Sequence, residues 1–427
     1  MYRVWNFLTS YSLLLIIGAL AALIWANLDL MLPVKSDPHY YSSLYHHMID
    51  YPLWANAPIG LLEDGHRVLT PHFLINDVLM ALFFAMAGKE VWEAVALKSG
   101  SLRGKKAVTP LIATIGGMTG PVIVYLGIAF ILGSTTFSAV SNGWAVPTAT
   151  DIAFSYLVGR MVFGAGHPAV RFLLLLAIAD DALGLVILAV FYPTGALAPL
   201  WLLLSVAAAA TVYLLANWLP RRLDKGNQAR PVSTWMRQKA SFWPYLLAGC
   251  ISWYAFMRSG IHPALGLLII VPTIPHAERA YGFFSMAESH LTDLLNEIEH
   301  NMKHTVEIIL FFFGLFNAGV QFSAMGATTW LVMSGLLIGK PMGIFIFGWI
   351  GARPLGFGLP EGMRMSDLFV LGCVAAIGFT VALFVASVAF PAGDIQDAAK
   401  MGALFSFAAA GVSLVMGILF RVEKKPA

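Results

Sequence analysis

The chain has 427 residues, of which 59% are hydrophobic and 11% charged, with a formal net charge of +3. Soluble domains carry about 25% charged residues, so this composition excludes an ordinary globular protein, and its hydrophobicity excludes a disordered chain. Its mean hydropathy of +0.76 fits a polytopic membrane protein. At about 20 apolar residues per span, there is room for roughly ten to twelve spans and little else.

The first apolar run follows Arg3 and extends from about Tyr11 to Leu32, longer than the core of a signal peptide. It reads as a retained first helix, 8–31. A long first loop, 32–73, follows, with Pro33, Pro38, Pro52, Pro58 and Gly60; within it Trp54–Thr70 suits a small hairpin. Further helices are predicted over 74–93, 107–132, 142–163, 171–192, 197–218, 241–258 and 262–275. The segment 276–302 is charged, but Leu291, Leu294, Leu295 and Ile298 recur at helical spacing. It reads as an amphipathic helix on the membrane surface or leading into the next span. The last four spans are predicted over 303–322, 327–352, 365–390 and 398–421. The whole, 1–427, reads as one integral-membrane domain of twelve helices.

With the N-terminus inside, 20 of the 26 Lys and Arg residues fall on inner segments. Lys35, Arg67, Arg258 and Lys400 fall on outer ones, and Lys89 and Lys340 within spans. This bias predicts both termini on the cytoplasmic side of the membrane and argues against nucleic-acid binding. Cys250 and Cys373 lie in apolar runs and read as buried small hydrophobes.

Charges inside a bilayer cost roughly 2.5–3.5 kcal/mol each even on lenient scales, so those retained point to function. Asp180 and Asp181 lie in the middle of an apolar run, about 100° apart around the helix. Burial disfavours an ionised carboxylate, which equips such a pair to exchange protons for a cation. A structural ion pair is the plainer alternative. Asp151 follows Pro147-Thr148-Ala149-Thr150, a sequence that suits a broken span, although a simple kink would also accommodate the proline. Gly378-Phe379-Thr380 carries a weaker break signal. Where two broken helices cross, Asp151 would face the positive helix ends and Lys340 the negative ones. Lys340 could instead snorkel to the inner face.

Several of these strings resemble the bacterial NhaA-type sodium/proton antiporters. They are Ile75-Asn76-Asp77, Thr114 to Gly120, Ala149-Thr150-Asp151-Ile152-Ala153-Phe154 and Ala179-Asp180-Asp181. Ser259-Gly260-Ile261-His262, Asn317-Ala318-Gly319-Val320, Gly339-Lys340-Pro341 and Gly378-Phe379-Thr380 continue the likeness to the C-terminus. The resemblance implies an all-α fold of about twelve spans, with inverted repeats in spans 3–5 and 10–12 and crossed broken spans 4 and 11. It implies electrogenic exchange of Na⁺ or Li⁺ for external H⁺ in the inner membrane, with no cofactor. Asp180 and Asp181 would be the ion and proton carboxylates, Thr150 and Asp151 would stand at the crossing, and Lys340 would partner Asp180. It also implies a homodimer through the first-loop hairpin.

The resemblance breaks at the end of the second span. Glu90 matches a family acid, but Ala94 stands where a second is expected. A pH-sensing set of Glu90, Glu93, His290, Glu299, His300 and His304 is one reading, because histidine titrates near neutrality. A solvated helix face is the other. Asp77 reads as a helix cap in preference to an ion ligand. Two rival functions fit the composition: a sodium-coupled organic-anion symporter, and an intramembrane aspartyl protease using Asp151 with Asp180 or Asp181. The protease lacks any YD or GxGD signature in the chain.

Overall fold

The computed structural model describes residues 13–28, 44–63, 66–97, 100–102, 104, 107–225, 231–276 and 294–425. The protein is an all-α polytopic membrane protein. Six helices are long and apolar enough to cross a bilayer: Pro71–Ala96 (α2), Val108–Ile131 (α3), Pro168–Phe191 (α5), Pro199–Leu223 (α6), Ala327–Ala352 (α9) and Asp394–Leu419 (α12). Between them come Leu13–Leu28 (α1), Ile152–Phe163 (α4), Trp243–Ser259 (α7), Leu294–Asn317 (α8), Met365–Ala375 (α10) and Thr380–Ala389 (α11).

The first loop forms more than a hairpin. A short helix, Leu44–Ile49, precedes β1 (Trp54–Ala55), β2 (Leu61–Glu63) and β3 (His66–Leu69), which pair antiparallel in the order β1-β3-β2. Trp54 faces Leu69 and Leu61 faces Val68 across the ladders.

Two predicted spans are broken where the sequence carries break signals, and two take a different form from the one predicted. The segment 142–163 is broken: 3₁₀ turns at Ser141–Gly143 and Val146–Thr148 give way to extended backbone at Ala149, and α4 starts only at Ile152. Pro147 supplies no backbone donor and disfavours helix in the residue before it, which accounts for the interruption here. The segment 365–390 is likewise two helices, α10 and α11, bent by 53°. The predicted helix 262–275 is a run of 3₁₀ turns punctuated by Pro263, Gly266 and Pro272. The span predicted to start at 303 begins at Leu294, so the described end of the amphipathic segment is the first turns of α8. Residues 277–293, including His290, lie outside the described residues.

Close helix approach depends on glycine. A Cβ added to Gly343 of α9 would lie 2.0 Å from the Gly116 carbonyl oxygen of α3, and one added to Gly120 would lie 2.3 Å from the Gly339 oxygen. Small residues let backbones touch where lipid provides no hydrophobic drive. The same device joins α1 to α8, where a Cβ on Gly18 would meet the Phe311 oxygen at 2.1 Å. Within the bundle, α10 and α11 are nearly sealed from the surface; Leu371, Val374, Ile377, Phe379 and Leu383 are all buried. That accounts for their apolar character on every side.

Candidate functional site

The site begins where the two broken segments cross. Asp151 is the N-cap of α4, its Oδ1 accepting from the Phe154 amide at 3.2 Å. Its Oδ2 accepts from the amide of Thr380 at 3.2 Å and from the Thr380 hydroxyl, at the start of α11. One carboxylate therefore faces the positive ends of two half-helices. The Asp151 amide donates to the Ile377 carbonyl at 2.7 Å, and the Ser155 hydroxyl to the Val374 carbonyl at 3.2 Å. The Thr150 hydroxyl lies 2.6 Å from Asp180 Oδ2 and 3.1 Å from the Ala375 carbonyl, at the end of α10. Unwound backbone thus finds partners inside the protein, as it must at membrane depth.

Lys340 is fully buried in α9 and does not snorkel. Its Nζ donates to Asp180 Oδ2 at 2.8 Å and also to the Thr148 carbonyl, at the end of the first half of the broken segment. Gly335–Gly339 forms a π turn just before it, and Pro341 follows. π-Turns of this kind recur at functional sites.

Asp180 and Asp181, adjacent on α5, point to different surroundings. Asp180 is 2% exposed and engaged with Lys340 and Thr150. Asp181 borders a cavity of about 640 Å³ together with Thr150, Asp151 and Thr380. Glu90, Arg171, Lys303 and Glu307 line the same cavity. The five residues Thr150, Asp151, Asp180, Asp181 and Lys340 therefore come from two helices, α5 and α9, and the crossing.

A second charged cluster centres on Lys89, buried in α2. It lies 3.1 Å from Glu93 and 4.0 Å from Glu90, and it donates to Glu299 of α8. Of the histidines expected there, His300 and His304 stand on exposed positions of α8.

Three expectations are corrected. Asp77 does not cap a helix: Thr70 caps α2 through its hydroxyl, and Asp77 lies within a π stretch, Leu74–Leu79, with its carboxylate 3.7 Å from His262. Cys250, read as a buried small hydrophobe, is exposed on α7, whereas Cys373 is buried. Lys400, counted among the outer charges, lies buried in α12, which starts at Asp394.

Several residues of this region carry little signal in the sequence. In the sequence Thr380 carries only a break signal and Lys89 is only a charge within a span, whereas each is the partner that organises its cluster. Asn76 and Asn317 exchange amide hydrogen bonds of 2.9 and 2.8 Å between α2 and the end of α8. Both stand inside strings already singled out, but their 241-residue separation hides the contact.

The fold and the buried charges define a polytopic membrane protein whose interior site is built from carboxylates, a lysine and helix ends. The Na+/H+ antiporter 1 family model matches residues 3–420. The Na(+)/H(+) antiporter NhaA of Jannaschia sp. (strain CCS1) is 70% identical over 100% of both chains. The proteins of that name from Geobacter sulfurreducens and Desulfitobacterium hafniense are 42% and 44% identical, covering 99% and 98% of this chain and 99% and 96% of their own. The chain belongs to the Na⁺/H⁺ antiporter 1 family, a family of transporters, and its activity is sodium/proton antiport.

Proposed function

We propose that the exchange takes place at Asp180 and Asp181. Na⁺ or Li⁺ and protons compete there, with Thr150 and Asp151 contributing oxygen at the crossing. Hard cations prefer such ligands. In this reading a cation entering through the large cavity takes the Asp181 carboxylate, and protons arriving from the opposite face displace it. Two acids can carry two protons against one monovalent cation, which makes the exchange electrogenic. The bundle containing both broken segments rocks against the rest to expose the site to each side in turn. Asp151 and Lys340 balance the helix ends in both states, and the Lys89 cluster with Glu90, Glu93 and Glu299 senses pH.

The reading further places the chain as a single domain in a bacterial inner membrane, both termini cytoplasmic, exporting sodium without a bound cofactor. It places a homodimer contact on the first-loop sheet. The observation that carries the site assignment is the division of labour on α5: Asp180 is held by Lys340 while its neighbour borders the large cavity. Everted vesicles containing the protein test it. Adding Na⁺ should collapse a preformed pH gradient, Li⁺ should do the same, and Asp181→Asn should abolish both responses. Full activity in that variant would remove Asp181 from the site.

A further inference from the structure

A second cavity, of about 10 Å³, lies against the carboxylate pair. Thr148, Asp180, Asp181 and Gly184 border it, with Phe84 and Leu188 among its apolar walls. Asp181 borders both this cavity and the large one, whereas Asp180 borders only the small one. A volume of about 10–15 Å³ on this measure holds one water, which needs two or more polar partners to stay.

Two independent features point to such an occupant. Asp180 Oδ2 takes the bonds from Lys340 and Thr150, while Oδ1 accepts no hydrogen bond from the described residues, although Asp180 is 2% exposed. A buried carboxylate oxygen without a donor is costly. Gly184, in the interior of α5 one turn beyond Asp180, borders the same compartment, and a Cβ added there would meet nothing within 4 Å. A helix-interior glycine costs roughly 0.5–1 kcal/mol relative to alanine, so packing within α5 gives no reason for it.

We propose that this compartment binds one ordered water, which donates one hydrogen to Asp180 Oδ1 and the other to the Asp181 carboxylate. The inference rests on the reading of the pair as the ion site. The water shares the negative charge of two adjacent acids that have one lysine between them. It thereby keeps the ionised form of Asp181 available to a cation in the larger cavity.

Gly184→Val and Gly184→Thr test this, because the two side chains have the same shape and the same branching. Valine fills the compartment with methyl groups; threonine places a hydroxyl where the water would donate. Losing a charge-assisted hydrogen bond is worth about 1.5–3 kcal/mol, so Gly184→Val should raise the apparent KM for Na⁺ roughly tenfold or more. Gly184→Thr should stay within about threefold of the parent, the difference expected when a comparable donor remains. Equal behaviour of the two variants, impaired or unimpaired, would overturn the proposal. A density map of the parent protein at a resolution that shows ordered waters gives a second readout that does not depend on either variant folding. Density for one water between Asp180 and Asp181 on the Gly184 side is expected, and its absence would also overturn the proposal. Asp181→Asn tests the ion site itself, so failure of that reading is distinguishable from failure of this one.

Discussion

Thr380 donates both its amide and its hydroxyl to Asp151 Oδ2, so that one residue at the head of α11 is fastened to the cap of α4. Each N-terminal cap is worth about 0.5–2 kcal/mol, and Asp151 serves two helix ends. Asp151→Ala should therefore lower stability by roughly 1–4 kcal/mol, the sum of two caps. Asp151→Asn should cost less, because the amide oxygen still accepts. Thermal unfolding of the purified protein in detergent separates the two, and equal losses would mean that the capping geometry is not what Asp151 provides.

Lys340 and Asp180 form an ion pair at 2.8 Å with side chains 0% and 1% exposed. Removing one member of a buried pair strands the other, at a cost of about 3–5 kcal/mol. Lys340→Ala should be destabilised by that order, and Lys340→Ala with Asp180→Asn should recover much of it. A double-mutant cycle on unfolding stability measures the coupling. Additive losses would show that the two side chains do not depend on each other.

Gly343 lets α9 lie against α3, and Lys340 stands one turn away on the same helix. Gly343→Ala drives a methyl group into the Gly116 carbonyl, and overpacking of this kind costs about 1–3 kcal/mol. Antiport should fall at least tenfold, as about 1.4 kcal/mol at the site would produce. Gly127→Ala, also on α3, meets nothing within 4 Å and should be tolerated. Vesicle assays normalised to inserted protein compare them; an active Gly343→Ala would mean that the helices separate without disturbing Lys340.

His167 caps α5 before its first turn, its Nδ1 accepting from the Ala169 amide at 3.1 Å. Burial pushes its pKa below the ordinary histidine value, outweighing the nearby Asp367 carboxylate, which acts the other way. The folded state thus binds this proton less readily than the unfolded state. Its contribution to stability is complete above the unfolded value of about 6.5 and is lost as pH falls below it. His167→Asn keeps a capping oxygen and should remove this acid-linked part of the loss. Unfolding midpoints between pH 8 and 5 check it, and an unchanged pH dependence in the variant would assign the loss to other groups.

Local chemistry made much of the membrane architecture legible in advance. Apolar runs marked the long helices because lipid tolerates little else. Pro147 and the Gly378-Phe379-Thr380 string announced breaks because each interrupts helical hydrogen bonding within its own neighbourhood. The same logic misled over 262–275: its residues are apolar enough for a span, but Pro263, Gly266 and Pro272 favour 3₁₀ turns once packed in protein. Lys400 was counted among the outer charges although it falls at the start of the predicted span 398–421, and only the structure shows it buried within α12.

Composition and spacing by themselves determined that this is a polytopic membrane protein and singled out Asp151, Asp180, Asp181 and Lys340, since the cost of charge in lipid leaves few candidates; they did not single out Asp367 or Lys400, which are buried as well. The family resemblance implied the Lys340–Asp180 pair, but from the residues themselves which of these charges meet stayed open until the tertiary structure placed them. Lys340 reaches Asp180 across 160 residues and Thr380 reaches Asp151 across 229. Such contacts depend on crossing geometry and glycine packing between distant helices, and nothing in the periodicity of one helix records what lies against its neighbour.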